Sequence, residues 1–558
     1  MKKILFIAIL SIVFLPLKGL AFFVGETQTF NVEPVYDSSQ RQQLSATLRK
    51  TTTFTYFYFD DSWWSGLSQD QQNQVTNSIN NLGEEFDGKI YPLLTQNFGQ
   101  EWTPGIDRDT RITILFHPMK ETSGGYFNSG DEYPKAQSLK SNEREMIYIN
   151  ANSATSPLLK SFLAHEFQHL INFNQKERLR GVTEDVWLNE AKSEYTSTLL
   201  GYDNVYDGSN LERRVRNFLD KPYDSLTEWR NQPQDYGIAN LFIQYLVDHY
   251  GIAVLKESAL SSKTGIESLN EALKKLGAVD DFSQIFTNWA VAVFINSCNF
   301  GSNYCYLNQS LRNFKVVPQA NFLPPVPKTS LSVVNTTKGW AANWYKFFGI
   351  KGDLSFEFAG SFQANSSFKI PYLIEDKKGA YTIDFLNLNN LHQGKIEIED
   401  FDKKFSSLVV IPLLLGKTTG FSETEPSIQF SWTASANLEQ SSPENQEEIN
   451  RLLAKIEELK QQIKNLQIQL IALGKLPKAS CQEFSKDLYY GMTNSDDVKC
   501  LQQFLKSKGE TIYPEGLASG NYLSLTTLAV KRYQASKGII QTGYFGPLTR
   551  AAANKERY

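Results

Sequence analysis

Two of only five histidines in this 558-residue chain stand four residues apart, His165 and His169 in SFLAHEFQHLINF. No other feature constrains the fold as tightly, because side chains at i and i+4 of an α-helix leave from one face. Leu159, Leu163, Phe167 and Leu170 recur at helical spacing and make the packing side. Two neutral imidazoles so placed can hold one Zn2+ at about 2.0–2.1 Å each. Glu166, next to the first histidine, then stands where it can take a proton from a metal-bound water. A tetrahedral zinc with one open position needs a third protein ligand. Glu190 offers it from the next helical stretch, DVWLNEAKSEYTSTLLGY, far enough on for a loop to turn back and the two helices to face. Glu194 shares the helical face of Glu190 and is placed to accept the free N–H of a ligand histidine. Taken singly, either glutamate reads as part of a solvated helix face; the His-Glu-x-x-His stretch upstream favours the metal.

The length exceeds what one core supports. Residues 1–21 read as a signal peptide: Lys2 and Lys3, an apolar run from Ile4 to Leu15, then Gly19 and Ala21 before a cut at Phe22. An uncleaved membrane anchor is the alternative. Residues 22–320 read as one α/β unit, with TFTYFYF, RITILF and EMIYINA as strands and Ser68–Asn97 and Asp235–Tyr250 as helical stretches. Residues 325–435 switch to short alternating strands separated by turn residues, a β-sandwich pattern. Residues 444–473 carry four heptads, with Ile449, Ile456, Ile463 and Leu470 at a and Leu452, Leu459, Leu466 and Leu473 at d. That pattern favours a two-stranded parallel coiled coil, and so a homodimer, although a single helix lying on a neighbouring domain would use the same seam. The last domain spans 480–558. Export permits disulfides, and the four cysteines fall into two local pairs, Cys298–Cys305 and Cys481–Cys500. With a net charge of −4 there is no basic excess of the kind nucleic-acid binding exploits.

The HEFQH stretch (165–169) together with WLNEAKSEY (187–195) resembles the gluzincin metallopeptidases. The combination is most similar to the hyicolysin-type family of secreted bacterial peptidases, over roughly residues 50 to 300. ITILF, GGYF and MIYINAN ahead of the histidines follow the order seen in that group. The resemblance implies a zincin fold, with a twisted sheet above the histidine helix and an edge strand beside the cleft. It also implies Zn2+ and peptide-bond hydrolysis. No GxMEN exopeptidase motif precedes the histidines, which favours an endopeptidase. Tyr236 in DYGIANLFIQYL resembles the Tyr-Gly segment after the ligand helix in related gluzincins and is the candidate donor to an oxyanion. Tyr195 and His249 are rivals for that role, and a core aromatic is the plain alternative.

DDVKCLQQFLKSKG reads as an amphipathic helix. GNYLSLTTLAVKRYQASKG and GYFGPLTRAAANK then form a weak internal repeat of glycine, aromatic, threonine and alanine. This end resembles the peptidoglycan-binding domain of bacterial wall enzymes, a small three-helix bundle, except that Leu523 stands where that pattern has glycine. A protein-docking helical domain is the alternative. The expected chain is therefore multidomain: an α+β zincin-like catalytic domain, a β-sandwich, a coiled-coil helix and a small all-α peptidoglycan-binding-like domain. Its expected activity is that of a secreted, cell-wall-associated bacterial zinc metallopeptidase acting on protein or peptide substrate. The rival is a non-catalytic wall-attached structural or adhesion protein on a zincin scaffold.

Overall fold

The segments 55–60, 112–117 and 146–150 are apolar at nearly every position rather than at alternate ones, and each is buried along its whole length. Strands of this kind must be covered on both faces, and parallel pairing with helices on one side provides the cover. The structure is a computed structural model. It describes residues 22–437 except 121–122, 362–366 and 417–424, and residues 483–556 except 491, 494, 515 and 540, with six further residues between 451 and 462. The chain divides into two compact units, 1–438 and 439–558.

The first unit opens with a six-stranded sheet ordered β1-β2-β3-β4-β6-β5. Its strands are β1 (Thr27–Asn31), β2 (Gln43–Thr51), β3 (Thr55–Asp60), β4 (Ile112–His117), β5 (Gly125–Phe127) and β6 (Met146–Asn150). β3, β4 and β6 run parallel, whereas β5 pairs antiparallel to β6 and forms one edge. One face, with Phe57, Phe59, Ile114, Phe116, Ile147 and Ile149, joins the core built by the helices. The other face, with Tyr56, Tyr58, Leu115 and Tyr148, is closed by Phe30, Val32, Leu44 and Leu48 of the β1–β2 ribbon.

Among the described residues, ten α-helices follow or interrupt these strands: α1 (Asp61–Ser65), α2 (Gln69–Glu85), α3 (Tyr91–Phe98), α4 (Leu159–Asn172), α5 (Val186–Leu199), α6 (Asn210–Asp220), α7 (Pro233–Tyr250), α8 (Ala253–Leu260), α9 (Gly265–Lys275) and α10 (Phe282–Ile295). α4, the histidine helix, lies against β5 and β6 and packs on α5. Leu159, Leu163, Phe167 and Leu170 are all buried, as their spacing predicts.

A buried ion triad ties α4 to α5. Lys176, just after α4, and Lys192, within α5, both bind Glu184 in the loop between them, at 3.2 and 2.8 Å, with all three side chains fully buried. Burial, and then the charge of Lys192, lowers the Lys176 ammonium to about 8. Removing the shared partner strands two buried cations, so Glu184→Ala is expected to destabilise the first unit by about 3–5 kcal/mol. Urea unfolding measures this directly, and a loss below about 1 kcal/mol would contradict the triad as a clamp.

Among the described residues, 319–437 supply three sheets, two of them facing and a third of three short strands. Five strands lie in the order Tyr381–Phe385, Pro371–Asp376, Phe405–Val410, Tyr345–Phe348 and Gln319–Phe322. Four lie in the order Gln393–Ile398, Asp353–Gly360, Ile428–Asn437 and Lys328–Thr337. Phe347, Phe356 and Trp432 meet between them, with Phe347 and Trp432 ring centres 4.8 Å apart. These sheets also share a core with the helices: Trp344 Nε1 donates to the Ala290 carbonyl at 2.9 Å, and Trp340 packs edge-on against Phe282 at 4.7 Å.

In the second unit three helices, Asp496–Ser507, Ser524–Ser536 and Pro547–Lys555, enclose Leu488, Leu501, Leu505, Tyr522, Val530 and Phe545. The weak repeat has a hydrogen-bonding basis. Gln502 accepts from the Gly520 N–H and donates to the Asn521 carbonyl and Thr526 hydroxyl. Gln534 does the same with Gly543, Tyr544 and Thr549. Gly520 and Gly543 have φ of 80° and 74°, the left-handed region that favours glycine. Leu523, by contrast, has φ −111°, so its backbone does not call for glycine.

Cys298 and Cys305 are bonded, and Cys500 is also in a disulfide. The expected partner Cys481, the signal peptide 1–21 and most of the heptad segment lie outside the described residues. Arg451, Ala454, Lys455, Glu458, Leu459 and Gln462, the described part of that segment, are helical.

Candidate active site

α4 and α5 bring the motif residues together. The Nε2 atoms of His165 and His169 are 3.2 Å apart, and Glu190 Oε2 lies 3.1 Å from the first and 3.6 Å from the second. Three atoms at about 2.05 Å from a tetrahedral zinc would stand roughly 3.3 Å from one another, so the spacing suits such an ion. The three ligand atoms all lie within 4.8 Å of each other, and this is the one His/Cys/Asp/Glu group able to hold a metal on that criterion among the described residues.

The outer nitrogens of the histidines are engaged elsewhere, which turns the Nε2 atoms inward. His165 Nδ1 faces Glu194 Oε1 at 3.3 Å. His169 Nδ1 lies 3.1 Å from Asn189 Oδ1 and 3.3 Å from Ser193 Oγ. Such partners fix the ring orientation of a ligating histidine. Glu194 is held in turn by the Arg214 guanidinium, through Nε at 2.7 Å and a second bond from Nη2, and by Asn210 Nδ2 at 2.8 Å.

Electrostatics follows from this packing. Burial opposes ionisation of Glu190, yet His169 and His165 hold its carboxyl down at about 2. Glu194 stays well below the usual carboxylate range despite burial, through Arg214 and His165. Burial disfavours the His165 imidazolium, but Glu190 and Glu194 raise it to about 10. Glu166 is the exception among the three carboxylates: burial dominates and raises it, and the two histidines offset this only in part. It sits under the edge strand, where a Cβ on Gly125 would lie 2.9 Å from Glu166 Cγ.

The candidate oxyanion donors separate. Tyr236, at the start of α7, lies under the Arg214 guanidinium at 4.4 Å and donates to Asn231 Oδ1 at 2.8 Å. Its hydroxyl is raised by burial first, then by Glu190, which puts it within electrostatic range of the site. Tyr195 is raised by burial and by Asp248 instead. His249 Nε2 pairs with the Cys305 carbonyl at 2.9 Å, in the disulfide loop. Of the three, only Tyr236 has a metal-ligand candidate, Glu190, among the groups acting on its hydroxyl.

Sequence reasoning missed Asn189, Ser193, Asn210 and Arg214. Arg214 had a legible signal: it falls on the buried stripe Leu211, Val215, Phe218 of α6, where a cation needs a partner. Tyr36 was also missed; it stacks on Tyr126 of β5 at 4.5 Å, and its hydroxyl is raised by burial and then by Glu166 and Glu190.

Helices that present two imidazoles, a carboxylate and a neighbouring buried glutamic acid define a candidate metal-dependent hydrolase site. Comparison with known proteins agrees with the resemblance drawn from the HEFQH and WLNE stretches. The chain is 27% identical over 287 residues to the neutral metalloprotease ShpI of Staphylococcus hyicus, covering 46% of this chain and 61% of ShpI, so it spans less than two thirds of that relative. Residues 494–553 match the peptidoglycan binding domain family. Among solved structures, the pre-peptidase C-terminal domain of a Bacillus anthracis collagenase matches 21% of this chain and 96% of its own length, with 6% identity and a TM-score of 0.14. The Aeromonas hydrophila inhibitor of g-type lysozyme, PliG, matches 21% of this chain and 98% of its own, with 11% identity and the same TM-score, 0.14. Scores this low establish no shared fold.

Proposed function

We propose that the chain is a secreted zinc endopeptidase of zincin type, retained on the cell wall by its C-terminal module. The observation that carries this reading is the convergence of His165, His169 and Glu190 on one point with Glu166 beside them. Zinc bound there would polarise the scissile carbonyl and acidify a coordinated water. Glu166, whose affinity for a proton is raised by burial, would accept a proton from the attacking water and pass it to the leaving amine. Tyr236 donates to the oxyanion as it forms. Glu194 and Asn189 keep the two imidazoles in the orientation that presents Nε2. Substrate runs along the open edge strand β5. Casein and purified sacculi incubated with the protein, with and without a zinc chelator, test the reading. Cleavage that survives full removal of the metal would overturn it.

Three parts in series would account for the organisation: one unit in which the expected separate catalytic segment 22–320 and sandwich 325–435 instead share a core, the heptad segment 444–473 pairing two copies, and the wall module 480–558. None of the described residues beyond 444 contributes to the metal group. Truncation at about Ser442 is therefore expected to leave casein cleavage unchanged and to abolish retention on isolated walls. Sedimentation with sacculi reads the second effect, light scattering reads the dimer, and undiminished wall binding would contradict the anchoring role.

A further inference from the structure

The surface of the second unit carries a pair of tyrosines that its core does not use. Leu488 and Phe545 form an isolated antiparallel bridge, exchanging N–H to carbonyl bonds of 3.2 and 2.9 Å, and both side chains are fully buried. In such a pairing the neighbours of inward residues point outward. Tyr489 therefore falls opposite Tyr544 on the outer side, and the two rings stand 6.4 Å apart, inclined by 34°. They are 54% and 42% exposed, whereas Tyr522 and Tyr533 of the same unit are buried.

The Tyr544 ring is fixed in place. Its hydroxyl donates to Asp487 Oδ2 at 2.7 Å, and Arg550 Nε lies 2.9 Å from Oδ1 of the same carboxylate. Arg550 is anchored in turn by its Nη1, which donates to the Ser485 carbonyl at 2.6 Å. The ring lies across Gly546, where a Cβ would come within 2.3 Å of Tyr544 Cε1. Gly546 has φ −88°, and Leu523 takes a similar backbone at the equivalent place, so the glycine answers a need for space. The first copy of the weak repeat makes the contrast. Its Gly520, Asn521, Tyr522 and Leu523 correspond to Gly543, Tyr544, Phe545 and Gly546, so it has neither the outward ring nor the gap beneath it. Asp487 and Tyr489 precede the stretch 494–553 that matches the family, so half of this platform lies outside the family pattern.

Flat aromatic faces beside a polar rim suit a pyranose ring. One face of such a sugar is a patch of C–H groups, and its hydroxyl and N-acetyl groups project from the edge. Asp487 and Arg550, both partly exposed, stand at that edge. Tyrosines held in one position give contact area at little cost in conformational entropy. The stem peptides of a wall ask for a different surface, because a single bridge is too short a ladder to take up an extended peptide as a further strand. We infer that Tyr489 and Tyr544 form a seat for the glycan strands of peptidoglycan, with Asp487 and Arg550 holding the Tyr544 ring and meeting the sugar's polar edge. This seat rests on the wall-binding role proposed above, and it narrows the ligand from the whole wall to its sugar backbone.

Sedimentation of the full-length, zinc-loaded protein with purified sacculi, on ice to limit cleavage of the walls, tests the seat. Walls stripped of their stem peptides by an amidase should bind the protein as well as intact walls do, and a soluble N-acetylglucosamine oligomer should compete. A Tyr489→Ala, Tyr544→Ala chain should bind at least about tenfold more weakly, the scale on which truncated aromatic anchors lose affinity. Its thermal midpoint and its casein cleavage should match those of the unaltered protein. Tyr544→Phe keeps the ring and should keep most of the binding, whereas Gly546→Ala displaces the ring and should weaken it. Undiminished binding by the double alanine chain would overturn the seat and leave the wall-binding role standing. Loss of binding on stripped walls would overturn it in favour of the stem peptides. Failure of the unaltered protein to sediment with any wall would remove the wall-binding role itself, and the seat with it.

Discussion

Replacing Glu166 by glutamine should leave the metal in place and reduce peptide hydrolysis by about 10²–10⁴-fold, the usual cost of losing a general base. The two effects separate because Glu166 is not one of the three converging ligand atoms. Glutamine matches its shape, so the contact with the edge strand at Gly125 survives. What is lost is basicity. Buried and raised, the carboxyl competes for a proton far better than an exposed glutamate, and an amide does not compete at all. Zinc content and casein turnover measured on the same preparation decide the point. Full metal with wild-type turnover would remove Glu166 from the role of base.

Loss of both imidazoles should have the opposite signature. A His165→Ala, His169→Ala chain is expected to retain no zinc and no activity, because Glu190 alone cannot hold the ion. The second ligand helix should nevertheless stay folded. Glu194 keeps Arg214 and Asn210, and Lys192 keeps Glu184, so α5 remains tied to α6 and to the loop after α4. Metal analysis alongside circular dichroism makes the comparison, and a full equivalent of zinc in a folded double variant would show that the ion is held elsewhere.

The contrast between what could and could not be read in advance is physical. The ligand helix was legible because helical geometry converts a spacing of four into a shared face, and its apolar residues mark the opposite side. The central strands were legible because burial on both faces leaves an unbroken apolar run. β2 was harder. Leu44, Ala46 and Leu48 alternate, but the ladder to β3 slips between Leu48 and Lys50, which cuts the pattern short. The short β1 has only Phe30 fully buried. Around the metal group, Glu194 could be read because it shares a helix face with Glu190. Arg214, which closes over it from α6, and Tyr36, which arrives from before the sheet, depend on tertiary contacts that no local spacing encodes.

The indoles of Trp340 and Trp344, set among the residues of α10, bear on how such a chain can be rearranged by fusion and exchange. A breakpoint near residue 320 would bare a continuous apolar surface on both fragments, and each would be prone to aggregate. The helices of the first unit and its β layer therefore have to travel as a single cassette ending after Asn437. The C-terminal module, with its own core, can be traded for another adhesive domain, so under the proposed function the first unit could be redirected to new surfaces by exchanging only its tail.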